Sequence, residues 1–309
     1  MRGKVCVFGS FNVDIMARTS RFPLPGESLV ANSSMTSAGG KGANQALAAL
    51  KSGANVHYIG KIGKDSFGHF ARRHLKSVGY DALTILESEE LPTGNALVFV
   101  SEGKSKVENM ICVDPGANMT VTDKEIARCA PSISCAKVIL VQLENNLSAI
   151  KQVINIGRHN NAFIILNPTP KKVVADSLLQ SVDLVTANLN QTEFMTGIKV
   201  ENEQSAILAA NKLHQRGCKI VVITMGLWGT FLSNLGEQKL IPASPSKPID
   251  STGASDAFNG ALAAKIGNNE TLEDAIHFAS AYAAVSTEEL GAAPDINIVK
   301  VVERLQTSS

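Results

Sequence analysis

Short apolar runs rich in β-branched residues alternate along this chain with stretches whose apolar positions recur at helical spacing. Residues 4–9 read as a strand. Residues 42–50 read as a helix, because Ala43, Ala46, Leu47 and Leu50 fall at i, i+3, i+4 and i+7. Residues 55–59 predict another strand, and 67–78 a helix that Gly79 ends. Later, 138–142, 163–167, 184–188 and 220–224 read as buried strands. Helices are expected among them at about 146–159, 176–181, 190–196 and 203–216. Repeated strand–helix units imply a mostly parallel sheet covered on both faces. Ligands of such sheets bind at the carboxyl ends of the strands.

Two stretches, 28–36 and 93–113, are strand-like and break this rhythm. They predict a small β-sheet projecting from the body as a lid, with its strands within about 12–40 and 93–118; a simple edge hairpin accounts for the same residues. No long Pro/Ser/Gly linker and no internal repeat divides the chain, so residues 1–309 are read as one domain.

Composition narrows the function classes. Hydrophobic residues make up 44% and charged residues 18%, as in a soluble globular protein with ample core. The net charge of +1 comes without a basic block, so nothing argues for nucleic acid or a membrane surface as partner. The longest apolar runs, such as 137–141, are far too short to span a bilayer. The chain enters its first strand with no signal-peptide pattern, and Cys6, Cys112, Cys129, Cys135 and Cys218 form no C-x-x-C pair; reduced thiols in a cytoplasmic protein are expected. The six histidines show no metal-ligand spacing.

Candidate chemistry concentrates in residues 250–260, Asp-Ser-Thr-Gly-Ala-Ser-Asp-Ala-Phe-Asn-Gly. Small polar residues lead into an apolar, Ala-rich stretch, as a loop feeding a helix N-terminus does. The backbone N–H groups of Gly253, Ala254 and Ser255 have little side chain to shield them, and the helix dipole adds partial positive charge there. Together they can seat a phosphate. Asp256 stands at the lip of that seat, where a carboxylate can take a proton from an attacking hydroxyl. A capped helix whose Asp256 only complements the dipole explains the same residues.

Residues 39–46, Gly-Gly-Lys-Gly-Ala-Asn-Gln-Ala, form a second concentration. The glycines permit close approach to the backbone, Lys41 is a flexible cation, and Asn44 offers donors and an acceptor. The spacing is neither a Walker A loop nor a dinucleotide fingerprint. Asn12 and Asp14 follow the first strand directly, at the ligand edge, where short amide and carboxylate groups suit sugar hydroxyls; an Asx turn would use them equally well. Glu144, after the strand at 138–142, has the same ambiguity. The Thr224 to Gly229 segment ends a strand in glycines and could let a nucleotide lie on the backbone at Gly226 and Gly229, or could simply turn a hairpin.

Taken together, these stretches resemble the ribokinase-like, or PfkB, family of carbohydrate kinases, over essentially the whole chain. Residues 10–14, Ser-Phe-Asn-Val-Asp, look like its N-terminal sugar-contact motif, 39–46 match its first signature, and 250–260 look like its second. The resemblance implies a three-layer α/β/α sandwich with a mostly parallel central sheet and a small β lid, often dimerised through that lid. It implies that Asn12, Asp14, Gly40, Lys41, Asn44 and Glu144 hold the sugar, that Asp256 is the catalytic base, and that the N–H groups of Gly253, Ala254 and Ser255 form the anion hole. Asn188, Thr224, Gly226, Gly229 and Ser255 would hold ATP with Mg²⁺. Asp250, Thr252 and Gly291 would surround a monovalent cation, K⁺ in particular. The expected reaction is ATP-dependent phosphorylation of a sugar's primary hydroxyl, ribose first. Deoxyribose, a ketohexose or a nucleoside are the rivals, the last disfavoured by 5% aromatic content. A sugar-binding protein with weakened catalysis is a further alternative. It rests on three departures from the family pattern: Ser255 where Gly is usual, Gln191 in place of an acid in Asn188-Leu189-Asn190-Gln191, and Ala257 in place of Thr.

Overall fold

Side chains alternate across the first strand, β1 (Lys4–Phe8): Val5 and Val7 enter one apolar cluster, Cys6 and Phe8 another. A strand buried on both sides must have helices on both sides, and that requirement sets the layers. The computed structural model describes residues 3–102, 107–170 and 172–307. After β1 come β2 (Asn12–Thr19), β3 (Ser33–Gly39), α1 (Lys41–Lys51), β4 (Asn55–Gly63), α2 (Ser66–Val78) and β5 (Ala82–Ser88). The hairpin β6 (Asn95–Glu102) and β7 (Val107–Asp114) precedes α3 (Asp123–Ser134), β8 (Val138–Val141), α4 (Leu147–His159), β9 (Phe163–Leu166) and the single turn α5 (Asp176–Leu179). Then follow β10 (Leu184–Asn188), α6 (Leu189–Thr196), α7 (Glu203–Gln215), β11 (Ile220–Thr224), β12 (Thr230–Asn234), β13 (Glu237–Ile241), α8 (Ala254–Gly267), α9 (Leu272–Ser286) and α10 (Ile298–Thr307).

The main sheet has nine strands in the order β13-β12-β11-β10-β9-β8-β1-β4-β5. From β11 to β5 every pairing is parallel, and β12 and β13 close one edge as an antiparallel hairpin. One core cluster joins the sheet to α1, α2, α8, α9 and α10; the other joins it to α3, α4, α5 and α7. The expected three-layer sandwich is therefore present. Pairing of β10 with β11 sets Asn188 beside Thr224, so the carboxyl ends of these strands share one edge with those of β1, β8 and β9.

A separate four-stranded sheet, in the order β3-β2-β6-β7, forms the lid. Asn12 and Asp14, directly after β1, open β2, which pairs with β3 and β6 and so belongs to the lid. One expectation is corrected here. The strand expected at 28–36 begins only at Ser33 and runs to Gly39, because its partners are the β2 residues back to Asn12. The hairpin expected within 93–113 has both its arms, and residues 103–106 between them lie outside the described residues.

One buried ion pair anchors the segment leaving the lid. Lys61 on β4 meets Glu125 on α3 at 2.8 Å, with side chains 5% and 9% exposed, and also donates to the Thr120 carbonyl at 2.7 Å. Glu125 in turn closes the capping box of α3 by accepting from Thr122 N–H at 2.8 Å. Breaking such a pair leaves a buried charge without a partner. Glu125→Ala is therefore expected to lower stability by about 3–5 kcal/mol, more than a lost cap alone. The double variant Lys61→Met/Glu125→Leu should recover most of that loss in urea unfolding, since an apolar pair of similar volume replaces the ion pair.

Candidate active site

Gly40 takes φ 90° and precedes α1, and a Cβ there would lie 2.7 Å from the Asn12 backbone nitrogen. Only glycine accepts both the left-handed backbone and that crossing. The crossing sets the N-terminus of α1 against the start of β2. Glu144, just beyond β8, completes the corner: its Oε2 accepts from the Ser10 hydroxyl and, at 3.1 Å, from the Lys41 N–H. A carboxylate at a helix N-terminus meets both unsatisfied N–H groups and the positive end of the dipole.

Asn118 orients Asn12. Its Nδ2 donates to Asn12 Oδ1 and to the Phe11 carbonyl, each at 2.9 Å, while its Oδ1 accepts from Phe11 N–H at 3.1 Å. With its carbonyl so engaged, Asn12 presents its NH₂ group as the free end, a donor. Asp14, two residues on along β2, shares its face of the lid. Burial pushes the Asp14 carboxyl up to about 6, helped by the negative charges of Glu144 and Asp256 and opposed by Lys41. Lys41 is held above the usual lysine range by Asp256 first, with Glu144 and Asp14 adding to outweigh its burial. Asp14, Lys41, Glu144 and Asp256, distant in sequence, thus lie near enough for their charges to act on one another.

Asp256 sits in the first turn of α8, 5% exposed. Its Oδ2 accepts from Asn44 Nδ2 at 3.2 Å and its Oδ1 from Gln45 Nε2 at 2.9 Å. The carboxyl thus faces α1, one oxygen on Asn44 and the other on fully buried Gln45. Gly253 caps α8 with φ 75°, and a Cβ there would lie 1.8 Å from the Ala292 carbonyl oxygen, so the 250–253 loop is pressed onto residues 291–292. Asp250 strengthens that junction, its Oδ1 accepting from Thr252 N–H at 2.9 Å and its Oδ2 from Gly291 N–H at 3.0 Å. Burial works against the Asp250 carboxylate, but these hydrogen bonds and the charge of Arg18 hold it below the usual range. Among the three expected anion-hole groups, Ala254 N–H already makes a long bond, 3.3 Å, to the Ser251 carbonyl.

On the other side of α8, Asn188 caps α6 and Gln191 reciprocates: Asn188 Oδ1 accepts from Gln191 N–H and Gln191 Oε1 from Asn188 N–H, each at 2.9 Å. Gln191 therefore closes a capping box, a role that Gln and Glu fill equally. Thr224 ends β11, and Gly226 and Gly229 flank a short 3₁₀ turn that leads into β12. This is the hairpin reading, and it leaves the turn at the same sheet edge as Asn188.

The residues expected from sequence thus fall into two groups on one sheet edge, with α8 between them. Sequence reasoning left out Ser10, Gln45, Asn118 and Asn259. Of these, Ser10, Gln45 and Asn259 lie inside the motifs already singled out, and the signal of Gln45 and Asn259 was a polar residue on the buried side of an apolar helix. Asn118 carried no local signal. Among the described residues, no group of three or more His, Cys, Asp or Glu could hold a metal ion, and no helix is long and apolar enough to cross a membrane.

Known proteins resemble this chain over nearly its whole length. The profile of pfkB family carbohydrate kinases matches residues 2–298. The ribokinase of Haemophilus influenzae is 34% identical over 296 residues, 96% of each chain. The deoxyribokinase of Salmonella typhi is 31% identical over 288 residues, 93% of each chain. Arabidopsis thaliana ribokinase, solved in complex with ribose and ATP, superimposes with a TM-score of 0.89 at 28% identity, covering 99% of both chains.

The charge arrangement makes Asp14 the group to titrate. Its carboxyl should show a midpoint near 6 by ¹³C NMR. Glu144→Gln should lower that midpoint and Lys41→Met raise it, since each removes one of the charges acting on it. Because the folded value exceeds that of a free aspartate, the folded state holds this proton more tightly. Its contribution to stability is greatest at low pH and is lost as pH rises from 3.8 to about 6.

Proposed function

Because this chain belongs to the pfkB family of carbohydrate kinases, we propose that it transfers the γ-phosphoryl group of ATP to the primary hydroxyl of ribose. The observation that carries the reading is Asp256: a buried carboxylate, held by Asn44 and Gln45, at the start of a helix and in the field of Lys41. Asn12 donates to a sugar hydroxyl, Asp14 accepts from one, and Lys41 balances their charge. The sugar's primary oxygen then approaches Asp256 Oδ2. As that oxygen forms its bond to the γ-phosphorus, the bond from phosphorus to the β-bridging oxygen breaks and ADP departs. The hydroxyl proton passes to Asp256, a contribution of about 10²–10⁴-fold. Charge on the migrating group is met by the α8 N-terminus, chiefly the N–H groups of Gly253 and Ser255, with Ala254 turning from Ser251 to join them. Such a transfer depends mostly on positioning and charge, which this site supplies.

ATP would lie along the Asn188 and Thr224 to Gly229 edge. Mg²⁺ would enter with its phosphates, since it keeps most of its ligands as phosphate and water. The donor set around Asp250, one carboxylate beside the Thr252 and Gly291–Ala292 backbone, suits a monovalent cation such as K⁺. A cytoplasmic location is supported by the dependence on ATP and by the free thiols of Cys6, Cys129 and Cys218 in the core. We also propose a homodimer through the lid. Met35, Leu97, Phe99, Met110, Ile111 and Val113 on that sheet are 39–56% exposed, more apolar surface than a lone small sheet leaves to water.

ADP release measured with ribose, 2-deoxyribose, a ketohexose and adenosine tests the assignment. Ribose is expected to give the highest kcat/KM. A higher value for deoxyribose would favour the activity of the Salmonella typhi relative, and silence with all four would remove the kinase reading. Asp256→Asn should cut kcat by about 10²–10⁴-fold while leaving ribose affinity within a few-fold. Substituting Met110 and Ile111 together by Lys should shift the protein from dimer to monomer in sedimentation.

A further inference from the structure

Beneath Asp256 lies a ring of buried polar side chains with no ligand role. Gln45 is fully buried on α1. Its Oε1 accepts from Gln142 Nε2 at 2.6 Å, which fixes the amide so that Nε2 faces Asp256 Oδ1 at 2.9 Å and Asn167 Oδ1 at 3.2 Å. Asn167, just past β9, donates in turn to the Thr186 carbonyl at 3.1 Å and its hydroxyl at 3.4 Å. The Thr186 hydroxyl, on β10, donates to Asn259 Oδ1, and Asn259 Nδ2 donates back to the Ser255 carbonyl at 2.8 Å. The chain of bonds leaves the first turn of α8 at Asp256 and returns to it at Ser255. None of the three amides on it, Gln45, Asn167 or Asn259, can flip without breaking bonds on both sides.

Such a ring is a costly way to build a core. An apolar set of similar volume would be as stable or more so, and here Gln142 Oε1 is buried without a partner. The ring does something an apolar core cannot: it occupies one oxygen of the carboxylate from below and leaves the other directed at the pocket. The two oxygens are unequal in just this way. Oδ1 takes the shorter bond from the buried Gln45, and Oδ2 the longer one from Asn44.

We propose that Gln45 is a positioning residue for phosphoryl transfer, holding Asp256 Oδ1 so that Oδ2 is the proton-accepting oxygen, and that the ring through Asn167, Thr186 and Asn259 locks this aim to the α8 N-terminus. The proposal rests on the kinase reading above. It assigns Gln45 no contact with sugar or nucleotide, so its removal acts on kcat and not on either KM. A preorganised base loses effectiveness when it can rotate away from its acceptor geometry.

The test is a double-mutant cycle in the full chain, using Gln45→Met, which keeps the volume and removes the donor, against Asp256→Asn. Gln45→Met is expected to lower kcat about 10–100-fold, with KM for sugar and ATP within about threefold. In the Asp256→Asn background the same substitution should cost less than threefold, because there is no base left to aim. Asn259→Ala removes a side chain that makes no hydrogen bond to Asp256 and meets the site only at the Ser255 carbonyl; it should lower kcat by about three- to tenfold, again only while Asp256 is present. It carries the test if Gln45→Met does not fold. A loss of thermal stability with unchanged kcat, a parallel rise in KM, or an undiminished loss in the Asp256→Asn background would each overturn the proposal. Absence of ADP release by the unsubstituted enzyme would strike the kinase reading instead.

Discussion

A buried carboxylate must be given donors, and the fold is arranged to bring them to Asp256. Left without partners at 5% exposure, that group would carry the full cost of its burial. Its donors come from α1, more than two hundred residues earlier. α1 and α8 pack so closely that a Cβ at Gly260 would lie 2.2 Å from the Gln45 carbonyl oxygen. Small residues along α8, Ala257, Gly260, Ala261 and Ala264, are what let the helices come together. Ala257, one of the departures from the family pattern, belongs to this contact. Packing, hydrogen bonding and the placement of this carboxylate are therefore one constraint.

Charge imposes a second order on the pocket. Lys41 is one cation facing Asp14, Glu144 and Asp256. Glu144 is tied to Ser10 and the α1 N-terminus, and Asp256 to two amides. Asp14 has the least compensation and is the group raised toward 6. A pocket with this excess of acceptors suits a neutral ligand with several hydroxyl donors. It is hostile to one that is already anionic. Its place at the base of the lid also explains why Asp14 is half-buried: β2 carries it in from a sheet whose outer residues face solvent.

Much of the architecture was legible before any coordinates, because buried parallel strands and amphipathic helices write their periods plainly. α1, α2, α4, α6 and α7 begin and end within a residue or two of expectation, and Gly79 does end α2 in the left-handed conformation. β2 was not legible: Asn12, Asp14 and Arg18 make it polar, and its pairing with β6 joins residues some eighty positions apart. Asn118 escaped for a similar reason. It follows β7 in a short turn, and its meaning lies wholly in reaching Phe11 and Asn12. Gln45 and Asn259 were in view inside their motifs, yet a sequence cannot say that two amides on different helices point at the same carboxylate and the same turn. What was hidden was always a contact across the chain.

The remaining departures bear on whether the chain is a working kinase or a binder that has lost its chemistry. Ser255 would matter if the first turn of α8 required a left-handed residue there. Among the described residues the only non-glycine positions with positive φ are Asn161 and Asn269, so Ser255 has an ordinary helical backbone and its carbonyl is used by Asn259. Gln191 would matter if an acid were needed to hold the nucleotide edge together, but its amide oxygen already closes the capping box with Asn188. The ring under Asp256 holds one carboxylate oxygen through Gln45 and closes on the Ser255 carbonyl, so it fixes both the carboxylate and the first turn of α8. Fixing those two groups together is what phosphoryl transfer needs and what sugar binding alone does not, which argues for catalysis.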